Sequence, residues 1–280
     1  MKRVPMTLEE LQQLEFEILK VFHTICEKHH LRYYLGGGTL IGAIRHQGFI
    51  PWDDDIDVMM PRPDYMKLLS LYQNGWLDQY RRLDEIHINA NALSAVLRIY
   101  DTRTKLRFTN YRIKKKFGCW MDVFPMDGLH DCAFARKIHF KKARILRDLI
   151  IINDTKIGSK RRSRLLDVLQ YGLAPVLPIV YLVGHQRLIR SMDRLARKYD
   201  YDKAVYVGVL EGRAAEKEAM KKADLEPAIR VDFCGEQFYA MANYDEYLTN
   251  LYGDYMCLPP VEERVSRHEI AIYWKTGCQP

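Results

Sequence analysis

Residues 33–58 read Tyr33-Tyr34-Leu35-Gly36-Gly37-Gly38-Thr39-Leu40-Ile41-Gly42-Ala43-Ile44-Arg45-His46-Gln47-Gly48-Phe49-Ile50-Pro51-Trp52-Asp53-Asp54-Asp55-Ile56-Asp57-Val58. An apolar run ends in three glycines, a short helical pattern of Leu40, Ile41 and Ile44 follows, and Gly48 falls where a helix C-cap is expected. Asp55 and Asp57 then lead into Val58-Met59-Met60, where strand periodicity points both carboxylates to one side. Carboxylates so close repel unless a cation lies between them. Mg2+ is usually held by one or two carboxylates together with substrate phosphates. Glycines let a backbone approach a ligand closely, and the N–H groups of a helix start suit a phosphate. Alone, three glycines make a plain turn and three aspartates a solvated loop. In this order, between strand-like residues, they predict a phosphate-binding turn (Gly37, Gly38, Thr39) beside a Mg2+ or Mn2+ site with Asp55 and Asp57 as ligands.

Working outward, Thr7 and Glu10 form a capping box ahead of Leu8, Leu11, Leu14, Ile18, Leu19, Phe22 and Ile25 at helical spacing, so residues 7–30 are predicted helical. Strands are expected over Arg32–Leu35 and Ile56–Met60. Pro61 and Pro63 end the second and start a helix over Asp64–Tyr72. Ser94–Tyr100 and Lys105–Thr109 read as a strand pair joined by a short turn, and Phe117–Phe124, after the Lys114-Lys115-Lys116 loop, as a strand containing Asp122. The pattern turns helical from Asp131 to about Tyr199. Strand signals return at Ala204–Leu210, Ala228–Phe233 and Gln237–Met241, followed by a helix over Tyr244–Tyr252 capped by Gly253. The expected division is a catalytic core over 1–130, a basic helical insertion over 131–200, and strands and a helix over 201–280 that complete the catalytic unit.

Asp122 lies in the apolar segment Cys119-Trp120-Met121-Asp122-Val123-Phe124, where an ionised carboxylate is costly without a cation or donors. It is the natural third ligand for the Asp55/Asp57 metal, the competing reading being a structural pair with a buried Arg. Asp53 and Asp54 either support the ligands or are solvated. Arg45, His46 and Arg62 flank the site and either hold phosphate oxygens, which Arg grips bidentately, or pair with the acidic cluster.

The 280 residues are 48% apolar and 28% charged, the composition of a soluble globular protein. Met1-Lys2-Arg3 followed by Val4-Pro5-Met6-Thr7 and a charged helical pattern does not read as a secretory leader. The six cysteines never occur as Cys-x-x-Cys, which fits reduced cytoplasmic thiols rather than a zinc site or disulfide framework. Net charge is +7, and the excess is concentrated between Arg136 and Arg164, where eleven Lys or Arg face Asp148 and Asp154. A solvated face, nucleic-acid binding and an anionic membrane surface all fit such a stretch. No nucleic-acid-binding motif accompanies it, and nucleic acid is not an expected partner. The apolar run Leu173–Val183 holds Pro175 and Pro178 and is too short to span a membrane. With the basic stretch it favours a peripheral position at the inner membrane face.

The segment from Gly37 to Val58, continuing through Met60-Pro61-Arg62-Pro63-Asp64-Tyr65, resembles the signature of the LicD phosphotransferases, a family that includes bacterial phosphorylcholine transferases and is related to fukutin-type ribitol-phosphate transferases. Trp120-Met121-Asp122-Val123-Phe124-Pro125-Met126-Asp127 resembles the family's second motif. The residues from Tyr244 through Tyr252-Gly253-Asp254 and Pro259-Pro260 to Arg267-His268 resemble a third. The likeness implies an α/β (α+β) fold of the nucleotidyltransferase superfamily, a mixed sheet flanked by helices with a helical insertion. It implies transfer of phosphocholine or a related phospho-alcohol from CDP-choline or another CDP-alcohol to a sugar hydroxyl of a glycan or teichoic acid precursor, with a lipid-linked acceptor among the options. Asp122 would complete the metal shell or accept the hydroxyl's proton, and His268 would return to the site. If choline is the alcohol, Trp52, Trp120, Tyr33 and Tyr34 are candidates for an aromatic cage, against the competing reading as core. Nucleotide transfer by the same fold, and a non-catalytic phosphoglycan- or lipid-binding protein, are the alternatives.

Overall fold

A computed structural model of the chain describes residues 4–72, 75, 77–92, 94–107, 117–154, 177–266 and 271–278. The Lys114–Lys116 loop, the basic residues Lys156 to Arg164, the start of the Leu173–Val183 run, Arg267 and His268 lie outside the described residues.

Helix α1 (Leu8–His29) starts at the capping box: the Thr7 hydroxyl accepts from the Glu10 N–H at 3.2 Å, and the Glu10 carboxylate accepts from the Thr7 N–H at 2.8 Å. Its apolar stripe, with Ile18, Leu19 and Phe22 fully buried, packs on a sheet. Each of these side chains contributes about 1.5–3 kcal/mol by leaving water. The sheet runs β1 (Tyr34–Leu35), β2 (Asp57–Pro61), β6 (Trp120–Leu129), β4 (Leu97–Asp101), β3 (Arg81–Asp84), and β7 (Tyr206–Gly208) with β8 (Met220–Lys221) joins it along the last residues of β6. β2 and β6 are parallel and the other pairs antiparallel, so the sheet is mixed, as expected. Strand β6 is its axis. Its first residues pair with β4, its middle with β2 and its last with β7.

Helix α2 (Gly37–His46) fills the β1–β2 crossover, and α3 (Arg62–Tyr72) follows β2 directly. The C-cap of α2 is Gln47, in the left-handed region at φ 53°, rather than Gly48, whose N–H closes the turn on the Gly42 carbonyl at 3.3 Å. Helices α4 (Ala133–Asp154), α5 (Leu177–Val183) and α6 (His185–Ala196) form the helical segment. Phe140 and Ala143 of α4 pack with Ile189, Met192 and Ala196 of α6 in a cluster that reaches the sheet through Leu129. The hairpin β9 (Ile229–Phe233) and β10 (Glu236–Ala240) packs against α2 and β1, and helix α7 (Tyr244–Tyr252) ends at Gly253, φ 73°, as expected.

Two strands depart from expectation. β3 carries little apolar alternation. β5 (Thr104–Arg107), expected to pair with its neighbour across the turn, leaves the main sheet and pairs with the terminal β11 (Ala271–Trp274). Among the described residues no helix is long and apolar enough to cross a membrane.

Candidate active site

The parallel register sets Asp57, first residue of β2, directly beside Asp122 of β6. The Asp122 N–H donates to the Ile56 carbonyl at 3.0 Å, and the buried Thr39 hydroxyl accepts from the Asp57 N–H at 2.9 Å. Thr39 therefore uses its side chain to pin the start of β2 to α2. Asp55 comes from the loop preceding β2 rather than from the strand itself. Asp53, Asp54 and Asp55 bring carboxylate oxygens within 4.8 Å of one another.

The glycine turn lies against these acids. Gly37 has φ 48°, and a side chain there would meet the Tyr252 hydroxyl at 3.2 Å and the Asp57 carboxylate at 3.9 Å. A side chain on Gly38 would overlap the Asp53 carboxylate at 2.7 Å. The first turn of α2 leaves the N–H groups of Gly38 and Thr39 without intrahelical acceptors, as at any helix start. The Gly37 N–H donates to the Tyr247 hydroxyl at 3.4 Å. Tyr247 and Tyr252 belong to α7, so the third sequence block does come to the glycine turn.

Asp122 is clasped by two donors that share its side of the sheet. Arg98, its cross-strand neighbour on β4, donates from Nε at 2.8 Å, and the Trp120 indole N–H donates at 3.1 Å. The Arg98 guanidinium lies 5.6 Å from the Trp120 ring and 5.0 Å from the Phe117 ring. This corrects the cage expectation for Trp120: the ring is buried and already holds a cation, and it orients Asp122 instead.

The acids act on one another. Burial, then Asp55, Asp122 and Asp53, push the Asp57 carboxyl well above the usual range, and the positive charge pulling it back comes from Arg213. Arg213 follows β7 on a loop whose Gly212 carbonyl accepts from Arg147 of α4. Glu15 of α1 is only 2% exposed, one of its carboxylate oxygens is buried without a partner, and burial followed by Asp55, Asp54, Asp53 and Asp57 raises its pKa well above the usual range. Clustered hard oxygen donors, with a buried Glu15 carboxylate oxygen that has no hydrogen-bond partner among the described residues, fit a divalent cation. Neither Glu15 nor Arg213 was singled out from the sequence. Glu15 could have been, since it interrupts the apolar stripe between Leu11 and Ile18.

The remaining candidates divide. Arg45 donates to the Tyr255 carbonyl and, at 3.2 Å, to the Cys257 carbonyl, so it anchors the loop after α7. Its Nε donates to His46 at 3.0 Å. Burial and then Arg45 lower the His46 pKa, which keeps it neutral. Trp52 packs edge-on to His46 at 6.4 Å with Arg264 5.7 Å from its ring. Tyr33 and Tyr34 are core, their hydroxyls bonded to His23 at 2.7 Å and Glu226 at 2.6 Å. Arg62 corrects the phosphate-binding expectation. It is buried at the far end of β2, and its guanidinium is taken bidentately by Asp127 at 2.7 and 2.6 Å and by Asp193 at 3.3 Å. His268 lies outside the described residues.

Comparison with known proteins gives a concordant result. The family model described as "LicD/FKTN/FKRP, nucleotidyltransferase domain" matches residues 30–145, which include the glycine turn, Asp53 to Asp57, Arg98 and Asp122. The chain is 32% identical to the lipopolysaccharide cholinephosphotransferase LicD of Haemophilus influenzae, over 94% of this chain and 96% of that protein. It is 28% identical to an uncharacterised protein of Rickettsia prowazekii over 36% of this chain and 39% of that one. A second uncharacterised protein, from Rickettsia typhi, is 41% identical over 24% of this chain and 20% of its own length.

Proposed function

Because the chain belongs to the LicD family, we propose that it is a metal-dependent phosphotransferase that moves phosphocholine, or a related phospho-alcohol, from a CDP-linked donor to a sugar hydroxyl of a glycan precursor. The observation that carries the reading is the β2–β6 register, which pairs Asp57 with Asp122 beside a glycine turn at a helix start. Similarity across nearly the full length of a relative named as a cholinephosphotransferase supports the choice of group.

Asp57, Asp55 and Asp122 would hold Mg2+ or Mn2+, with Asp53, Asp54 and the unpartnered Glu15 oxygen close by. When bound, the ion would neutralise diphosphate charge and stabilise the leaving CMP. The chain's own groups do the positioning. The N–H groups of Gly38 and Thr39 face the phosphates, and Arg213 supplies the cation first assigned to Arg62. Arg98 and Trp120 fix the orientation of Asp122, which is placed to take the acceptor hydroxyl's proton. Phosphoryl transfer depends mainly on positioning and charge stabilisation, so a rigid acidic floor is the appropriate device. A lipid-linked acceptor at the membrane surface would bring the basic helical segment to the bilayer.

The purified protein incubated with a panel of CDP-alcohols, a glycan acceptor and Mg2+ or Mn2+ should release CMP, most rapidly from CDP-choline. Release of pyrophosphate from a nucleoside triphosphate instead would establish nucleotide transfer by the same fold. Absence of turnover with tight phosphoglycan binding would leave a non-catalytic binder.

A further inference from the structure

We propose that the outward face of α4 and α6 is a docking surface for an anionic phospholipid bilayer. It extends the reading of a membrane-borne acceptor and is read by vesicle binding alone, so either can fail without the other.

The inner face of α4 is spent on packing: His139, Phe140 and Ala143 are buried against α6 and its surroundings. Its outer face is not polar, because Phe134 is 70%, Ile138 39% and Ile145 51% exposed. At about 100° per residue these three fall within a stripe about 40° wide. Single exposed apolar residues are ordinary, but an aligned set on one helix needs a partner. Lys137, Lys141, Lys142 and Arg144 lie along this stripe, and Arg187, Arg190 and Arg194 are exposed on α6. Among the described residues none of these seven cations has a carboxylate partner, while Arg197 at the end of α6 does, with Asp193 at 3.6 Å.

Between the two helices runs an open groove of about 470 Å³, with Ile145, Leu146 and Leu195 on its floor and Lys142, Arg194 and Lys198 on its rim. No acid lines it. An apolar floor under a cationic rim matches acyl chain below headgroup phosphate, the arrangement of a helix lying in a membrane interface. A polynucleotide would use the cations and leave Phe134, Ile138 and Ile145 in water. The bilayer satisfies both sets of side chains.

The test is flotation of the full-length protein with phosphatidylcholine vesicles carrying about 30% phosphatidylglycerol, an anionic surface that attracts basic residues. The wild type should float with these vesicles and stay behind with pure phosphatidylcholine. Lys141→Gln, Lys142→Gln and Arg194→Gln combined should weaken binding about a hundredfold, at about fivefold per residue. Phe134→Ser with Ile145→Ser leaves the charge untouched and should weaken binding by about tenfold or more, since the apolar burial is lost. Both variants alter exposed side chains and should keep the wild-type melting temperature. Wild-type protein that does not float, or a Phe134/Ile145 variant that floats as well as wild type, overturns the proposal. So does displacement from vesicles by single-stranded RNA at equal phosphate concentration.

Discussion

At one end of the β2–β6 pair Asp57 stands beside Asp122, and just past the other end Arg62, the first residue of α3, bonds Asp127 of β6. Both groups of charges adjoin the same parallel strand pair, yet they are handled differently. Around Arg62 most acids have a bonded partner: Asp127 takes two hydrogen bonds, Asp193 is shared with His87, and His87 also bonds Glu85 at 2.8 Å, while the buried Glu211 carboxylate, with no hydrogen-bond partner among the described residues, is held toward its neutral form by burial and Asp127. Around Asp57 the neighbouring Asp55, Asp122 and Asp53 push its carboxyl well above the usual range, Arg213 pulls it back, and Arg98 is bonded to Asp122. The Arg62 network ties the helical segment, through Asp193 of α6, to the sheet. On the proposed function, a divalent cation would relieve the repulsion among the acids around Asp57.

The sharpest break of this comparison is Asp57→Asn, which should cut transfer by about a thousandfold or more. The fold should not suffer. Because the folded state raises the Asp57 pKa, its charged form is disfavoured by folding, so a neutral isostere should melt at the same temperature or higher. Millimolar Mg2+ or Mn2+ should raise the melting temperature of the wild type and not of this variant. Retained activity, or a destabilised Asp57→Asn protein, would remove the distinction between the two ends.

The opposite end should respond in the opposite currency. Arg62→Met removes both hydrogen bonds to the buried Asp127 and one of the contacts of Asp193, and should cost about 3–5 kcal/mol of stability in denaturant titration. The protein that remains folded should keep its KM for the donor. A raised KM at full stability would return Arg62 to the phosphate site.

Arg213→Ala tests the cation at the acidic end. Loss of one charge-assisted contact, about 1.5–3 kcal/mol, should raise KM for the CDP-linked donor at least tenfold while stability changes little, since Arg213 is exposed. No change in KM would leave the phosphates to the glycine turn alone.

The smallest effect concerns pH. Hydrogen bonds to Asp193 and Glu85 raise the His87 pKa to about 9, and burial followed by Asp127 raises Glu211 to about 8. Both groups hold protons more tightly when folded, so their contribution is complete at low pH and is lost as pH rises through these values. The melting temperature should fall by a few degrees between about pH 6.5 and 9, and His87→Gln should flatten that slope. A slope unchanged in the variant would mean that other groups set it.

How much of this was legible in the sequence depends on what each residue's role required. The α1 capping box and the glycine turn are each announced within a few neighbouring residues, whereas Asp122 was tied to Asp55 and Asp57 as a ligand by its apolar setting and the resemblance, and its register with Asp57 came only from the fold. β3, reading Arg81-Arg82-Leu83-Asp84, shows no apolar alternation because two of its buried side chains are charged; Arg81 is paired with Asp78, and Asp84 accepts from Asn89 at 3.0 Å. Arg98 could be matched to Asp122 only once the β4–β6 register was known, and Arg62 to Asp127 only once that of β2–β6 was. An arginine beside an acidic motif looks the same in sequence whether it faces the ligand or the core.

The pairing of β5 with β11 carries a consequence for the chain's synthesis. Arg107 and Ala271 lie about 160 residues apart, and the ladder they begin lies beside the amino terminus, where the Met6 N–H donates to the Ile272 carbonyl at 2.8 Å. At a translation rate of about 5–20 residues per second, β5 leaves the ribosome on the order of ten to thirty seconds before its partner exists. During that interval its backbone edge is an unpaired template for other chains. Closure of so long a loop also places this contact among the late events of folding. β11 therefore acts as a clasp whose arrival ends the period when the β5 edge is open to misassociation.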